Sequence, residues 1–167
     1  DVNFLHNGSQ SYFSFKADNK DFLFVAGATN YENAKSNAIS LGGQLASIQS
    51  LKENQEIFTQ ISNIISSNNL NLPTATDGGG SKYVWLGAND TVTEGQWIWE
   101  DGSSFDYQKW GTGKLGSEPD NYNNQDGLGL GMENWPAGFN NGEGFGNAGS
   151  WNDLDLSNEL FYIVELS

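Results

Sequence analysis

The chain contains no cysteine. That removes disulfide staples, thiolate metal ligands and cysteine nucleophiles together, and it argues against a secreted eukaryotic domain, which would usually be cross-linked. A single histidine, His6, removes most zinc chemistry. Lysine and arginine together number seven against 21 Asp and Glu, for a formal net charge of −14. A field of that sign makes nucleic acid and anionic membrane surfaces poor partners and suits cations or neutral polar ligands. No apolar run approaches the roughly 18 residues of a membrane-spanning helix.

What is present is aromatic and small. Six Trp, six Tyr and ten Phe can fill a core although the hydrophobic fraction is only 37%, so a folded chain is expected. The 21 glycines concentrate in the second half and predict long, shaped loops there. At 167 residues one compact domain, 1–167, is the expectation. The chain opens at Asp1 with no signal-peptide pattern, which reads as a module of a larger protein.

The coarse order of elements is α+β. "SYFSFK" and "FLFVAG" read as two short strands around the turn residues "ADNKD". Thr29 with Glu32 forms a capping-box signature, Ala34, Ala38 and Leu41 follow at helical spacing, and Gly42-Gly43 stops the helix. After a strand "QLASI", Ser50 with Glu53 repeats the capping box and opens a second helix, with Leu51, Ile57, Phe58, Ile61, Ile64 and Ile65 as its apolar stripe. Residues 66–82 read as a loop. "YVWLGA", "GQWIWED", "LGLGMENW", "SWNDL" and "ELFYIVEL" are strand candidates, and the Gly/Asn-rich run 136–149 is an excursion between two of them.

The stretch "GSEPDNYNNQDG" concentrates side-chain oxygen around Pro119, one of only three prolines. In a chain this acidic such a loop is ordinarily a solvated surface. The alternative is a hard cation, since calcium takes 6–8 oxygen ligands in irregular geometry. A pair of carboxylates such as Glu118 and Asp126 is also the equipment of a glycosidase, but no His, Cys or Lys constellation supports other catalysis, and no enzyme is expected.

Several fragments in order, "LGGQLASIQSLKEN", "VWLGAND", "EGQWIWEDGSSFDYQKW", "SEPD", "SWNDL" and "FYIVE", resemble the C-type lectin-like domain, from about Tyr12 to Glu165. The likeness extends to the lectin modules of bacterial extracellular calcium-dependent (RTX-type) adhesins. The family's disulfide cysteines are missing, with Gly127 and Leu156 near the places where they would be sought, and segments 66–82 and 131–149 are longer than usual.

The resemblance implies a calcium-dependent carbohydrate-binding module. Its calcium ligands would be Glu118 and Asp120, flanking Pro119 across a cis Glu118–Pro119 bond, together with Asn152 and Asp153; the backbone carbonyl of Asp153 is a further candidate. One more ligand comes from Gln125 or from Asp126. Gln125 would give a shell with three carboxylates and Asp126 one with four, and both remain open. Sugar binding would follow if vicinal hydroxyls complete the coordination sphere, each hydroxyl acting as donor and acceptor. In the family Glu-Pro-Asn goes with mannose, glucose and fucose, and Gln-Pro-Asp with galactose; Glu118-Pro119-Asp120 is a hybrid, and Glu118 inclines it to the fucose/mannose/glucose class. Donors would come from Asn152 and Gln125. Trp135, Phe139 and Phe145 are candidates to stack on a pyranose, Trp135 equally as a loop anchor; Trp85, Trp97, Trp99, Trp110 and Trp151 are expected in the core. The implied partners are fucose- or mannose-bearing cell-surface glycans and neighbouring domains of an adhesin, in an extracellular bacterial setting where calcium is plentiful. The rival reading is a protein- or ice-binding module on the same scaffold.

Overall fold

The structure, a computed structural model, describes the backbone of residues 3–7 and 10–167, with side chains described from residue 10 onward. Among the described residues, twelve strands and two α-helices follow in order: β1 (Asn3–Asn7), β2 (Gln10–Ala17), β3 (Lys20–Thr29), α1 (Tyr31–Ser40), β4 (Gly43–Leu45), α2 (Leu51–Ser67), β5 (Thr74–Ala75), β6 (Ser81–Asn89), β7 (Ile98–Trp99), β8 (Thr112–Gly113), β9 (Gly116–Ser117), β10 (Gly127–Gly131), β11 (Trp151–Leu154) and β12 (Leu160–Leu166). The architecture is α+β as expected, with strands mostly antiparallel. The main sheet runs β1-β2-β3-β12-β6-β10-β11, and β12–β6 is a parallel pair.

Local chemistry explains the first half. Asp18 and Asn19 both take positive φ, 47° and 62°, and close a two-residue hairpin between Ala17 and Lys20. The pairing sets Phe15 opposite Phe22, with rings stacked at 5.3 Å. Side chains then alternate by strand period between two cores. Phe22, Phe24, Val84, Leu86 and Ile163 face one, with Ile57, Ile61 and Ile64 of α2. Val25, Tyr83, Trp85, Tyr162 and Val164 face the other, with Tyr31, Ala34 and Ala38 of α1. Both faces of the central strands are therefore covered, one by each helix.

The helix starts separate two similar sequence signals. Ser50 Oγ accepts from Glu53 N at 3.1 Å and caps α2 as expected. At α1 the cap falls one residue later than the Thr29 reading: Asn30 Oδ1 accepts from Asn33 N at 2.8 Å, and Thr29 ends β3. Leu51 lies off the buried stripe of α2 and is exposed.

The second half departs further. Segment 66–82, read as a loop, holds β5 and a single 3-10 turn at Thr76–Gly78 before β6 begins. The strand expected through "GQWIWED" shrinks to Ile98–Trp99. Trp85, Trp99 and Trp151 are buried as expected, but Trp97 and Trp110 are only partly buried and pack on each other edge to face at 4.9 Å. The sixth tryptophan, Trp135, is buried instead. Near the positions where a disulfide would be sought, a Cβ on Gly127 would meet Leu156 Cδ2 at 2.9 Å, so apolar packing holds these two segments together. Among the described residues no helix is long and apolar enough to cross a membrane.

Candidate metal centre

Two segments converge beside the β10–β11 pair. β11 carries Asn152 and Asp153, registered against Gly129 and Leu128 of β10. The loop after β9 brings Glu118 and Asp120, and the Glu118–Pro119 peptide is cis. Its continuation has Asn121, Asn123 and Asn124 at positive φ, between 51° and 68°. Asparagine tolerates that region better than other side-chain-bearing residues, and these turns carry Gln125 back toward β10. The loop is pinned to β11 by Asp153, which accepts from Asn121 N at 2.6 Å and from Asp120 N at 3.3 Å.

One carboxylate oxygen each from Glu118, Asp120 and Asp153 lies within 4.8 Å of the others. Burial pushes the Glu118 carboxyl up to about 8, helped by the charges of Asp120 and Asp153 and opposed by the Trp135 hydrogen bond. Burial also raises Asp153, to about 6, with Asp120 adding to it against backbone hydrogen bonds. Three oxygens around this cluster are buried with no hydrogen-bond partner: Glu118 Oε1, Gln125 Oε1 and Asn152 Oδ1. Buried acceptors are nearly always satisfied. Three orphans lining one cavity, beside crowded carboxylates, form the donor set a hard cation requires. The residues present fit calcium.

The structure separates the two candidates for the fifth ligand. Gln125 lines the cavity with Glu118, Asp120 and Asn152. Asp126 turns the other way and joins Asp90 and Glu94 in a second acidic cluster, again within 4.8 Å of one another. There Asp90 Oδ1 is buried without a partner, and burial with the neighbouring Glu94 raises the Asp90 carboxyl to about 7. Asn121 bridges the clusters, donating to Glu94 Oε1 while its Oδ1 accepts from Gln125 N at 2.8 Å. Asp90 and Glu94 of this second cluster were missed in the sequence; their signal was two carboxylates four residues apart in the irregular segment that follows β6.

Trp135 is 1% exposed, which makes it the loop anchor rather than an open stacking platform. Its Nε1–H donates to Glu118 Oε2 at 2.9 Å, and its ring packs on Tyr83 at 5.5 Å. Glycines make room for it: a Cβ at Gly146 would fall 2.1 Å from its Cζ2, and one at Gly111 would fall 2.4 Å away. The glycine-rich excursion is the cradle of one indole. Phe145 lines the same cavity, while Phe139 is exposed outside that lining. The exposed aromatic at the site is Tyr122, 61% accessible on the rim of this cavity of about 300 Å³. Its place two residues after Asp120 was the overlooked signal.

An α+β fold of this topology, with a pocket lined by Glu118, Asp120, Gln125 and Asn152 on the loops beside its β10–β11 edge, is that of a C-type lectin domain. The sequence profile described as Lectin C-type domain matches residues 27–155, more than half of the chain, and the chain belongs to that family. It is 34% identical over 93 residues, 56% of its length, to the galactose-specific lectin nattectin of Thalassophryne nattereri, covering 50% of that protein. It is 31% identical over 125 residues, 75% of its length, to the alpha-N-acetylgalactosamine-specific lectin of Patiria pectinifera, covering 58% of it. The chain thus spans about half the length of the relatives it matches. Its fold is similar to the C-type lectin CEL-I from Cucumaria echinata (TM-score 0.61, 24% identity, 98% of this chain and 94% of that one). It is similar too to a calcium-independent type II antifreeze protein (TM-score 0.57, 19% identity, 100% and 96%).

Proposed function

We propose that this chain is a calcium-dependent carbohydrate-binding module that recognises vicinal hydroxyls of a glycan. The observation carrying the reading is the set of buried acceptors without partners, Glu118 Oε1, Gln125 Oε1 and Asn152 Oδ1, around the Glu118–Asp120–Asp153 cluster. Bound calcium supplies a positive centre with coordination positions that sugar hydroxyls can share. The chain's own residues do the rest. Glu118 and Asp120 accept hydroxyl protons, Asn152 keeps one amide hydrogen beyond the one it gives Tyr83 OH at 3.0 Å, and Tyr122 offers an apolar face to a ring. Trp135 stays behind the site and orients Glu118.

The sugar class rests on Glu118, which aligns the site with fucose, mannose and glucose. The names of the two lectin relatives favour a galactose-type ligand instead, and these are the two outcomes to separate. An extracellular adhesin module is the proposed setting, on the charge of −14 and the absence of cysteine; the relatives named above are animal proteins, so the bacterial origin rests on composition alone. The antifreeze likeness shows the fold only, and no flat repeating array marks the Gly/Asn-rich excursion.

A glycan array run with calcium and with chelator tests the reading. Binding to fucose- or mannose-terminated glycans that chelator removes is expected. Asp120→Ala and Asn152→Ala should each lower that binding on the order of a hundredfold, since calcium affinity tracks ligand charge and count, with the circular dichroism spectrum unchanged. Full glycan affinity in either variant would refute the site.

A further inference from the structure

Gln125 is an amide where a carboxylate would be the simpler cation ligand, and it is 2% exposed. Its Nε2 faces two acceptors of one residue: the backbone carbonyl of Asp77 at 2.9 Å and Asp77 Oδ2 at 3.0 Å. An amide nitrogen has two hydrogens, and both are taken. The alternative orientation of the amide is excluded, because it would set an oxygen against two oxygens. Only Oε1 is left free, in the wall that Gln125 shares with Glu118 and Asn152.

On the calcium-site reading above, we infer that Asp77 is the positioning residue that converts Gln125 into a pure acceptor. The expectation that Gln125 also donates to a sugar hydroxyl is thereby corrected: among the amides that line the cavity, only Asn152 retains a hydrogen to give. Gln125 presents oxygen as a glutamate would, without adding a fourth carboxylate to the cluster.

Asp77 is itself held firmly. Asp155 N donates to its Oδ2 and Asn158 Nδ2 to its Oδ1, both at 2.8 Å. It sits in the 3-10 turn Thr76–Gly78, in the segment 66–82 that is longer than the family pattern implies. The turn reaches the site because the next residue is glycine: a Cβ on Gly78 would lie 2.6 Å from Tyr83 Cε2 and 2.8 Å from Leu154 Cδ2. Gly79 then turns back at φ 72°. The run "DGGG" is thus a device for bringing one half-buried carboxylate against Gln125.

A double-mutant cycle tests this. Asp77→Ala, Gln125→Ala and the double variant are titrated with calcium alone by calorimetry, and melted in excess chelator. Asp77→Ala in the native background should weaken calcium by about 10–100-fold, the range for residues that orient metal ligands. In the Gln125→Ala background the same change should alter calcium affinity less than about twofold, and the melting temperatures should be non-additive. If Asp77 only braces the turn at 155–158, the two losses add, and the inference is overturned. If Asp77→Ala does not fold, Asp77→Leu, which keeps the bulk and removes the side-chain acceptor, replaces it in the same cycle with the same criteria. Wild-type protein that takes no calcium would sink the functional reading, whereas additivity in chelator would sink the positioning alone.

Discussion

Glu118 shows how much of this site depends on single neighbours. One of its oxygens is tied to Trp135 Nε1 and the other is an orphan. Trp135→Phe should keep the packing but leave Glu118 free to rotate, weakening calcium by roughly tenfold in a calorimetric titration. Gly146→Ala attacks the same anchor from behind: its new methyl meets the indole at 2.1 Å. Overpacking of this kind costs about 1–3 kcal/mol, readable as a drop in urea midpoint. The raised carboxyls make a third prediction at this scale. Folding raises the Glu118 value from 4.5 to about 8, so the metal-free native state holds its proton more tightly than the unfolded chain. That contribution is fully present below pH 4.5 and is lost as pH rises through about 8. In chelator the contribution of Glu118 to melting temperature should therefore fall over this window, and Glu118→Gln should flatten the fall. Calcium should reverse the trend, because its ligands must be deprotonated. A melting temperature in chelator with the same pH profile in wild type and Glu118→Gln would contradict the assignment.

At the scale of elements, the helices and central strands were readable because their signals are local. Ser50 and Glu53 predicted the start of α2, and Ser50→Ala should cost about 1 kcal/mol by chemical denaturation without changing calcium affinity. Thr29 misled because Asn30 beside it is an equally good cap, and β3 claims Thr29 for its pairing with Leu160. The carboxylate cluster was half readable. Glu118, Asp120, Asn152 and Asp153 stood in recognisable tripeptides, whereas the choice between Gln125 and Asp126 depends on three left-handed asparagines that set which side chain faces inward. Asp77 could not be found from spacing, since its partners Gln125, Asp155 and Asn158 are 48 to 81 residues away. The glycine excursion looked like a loop because sequence reports its lack of side chains and not the indole that occupies the space.

For the molecule as a whole, a charge of −14 and no disulfide leave stability exposed to the carboxylate clusters. With calcium 100-fold above its dissociation constant, each filled site adds about 2.7 kcal/mol. For a chain of this length that is roughly 5–11 °C in Tm, and chelator should remove it in a thermal scan. The most direct measurement is a crystal structure of the protein grown in millimolar calcium. The account predicts an ion about 2.3–2.6 Å from Glu118 Oε1, Gln125 Oε1 and Asn152 Oδ1. Water alone at that position, or calcium only at Asp90, Glu94 and Asp126, would contradict it.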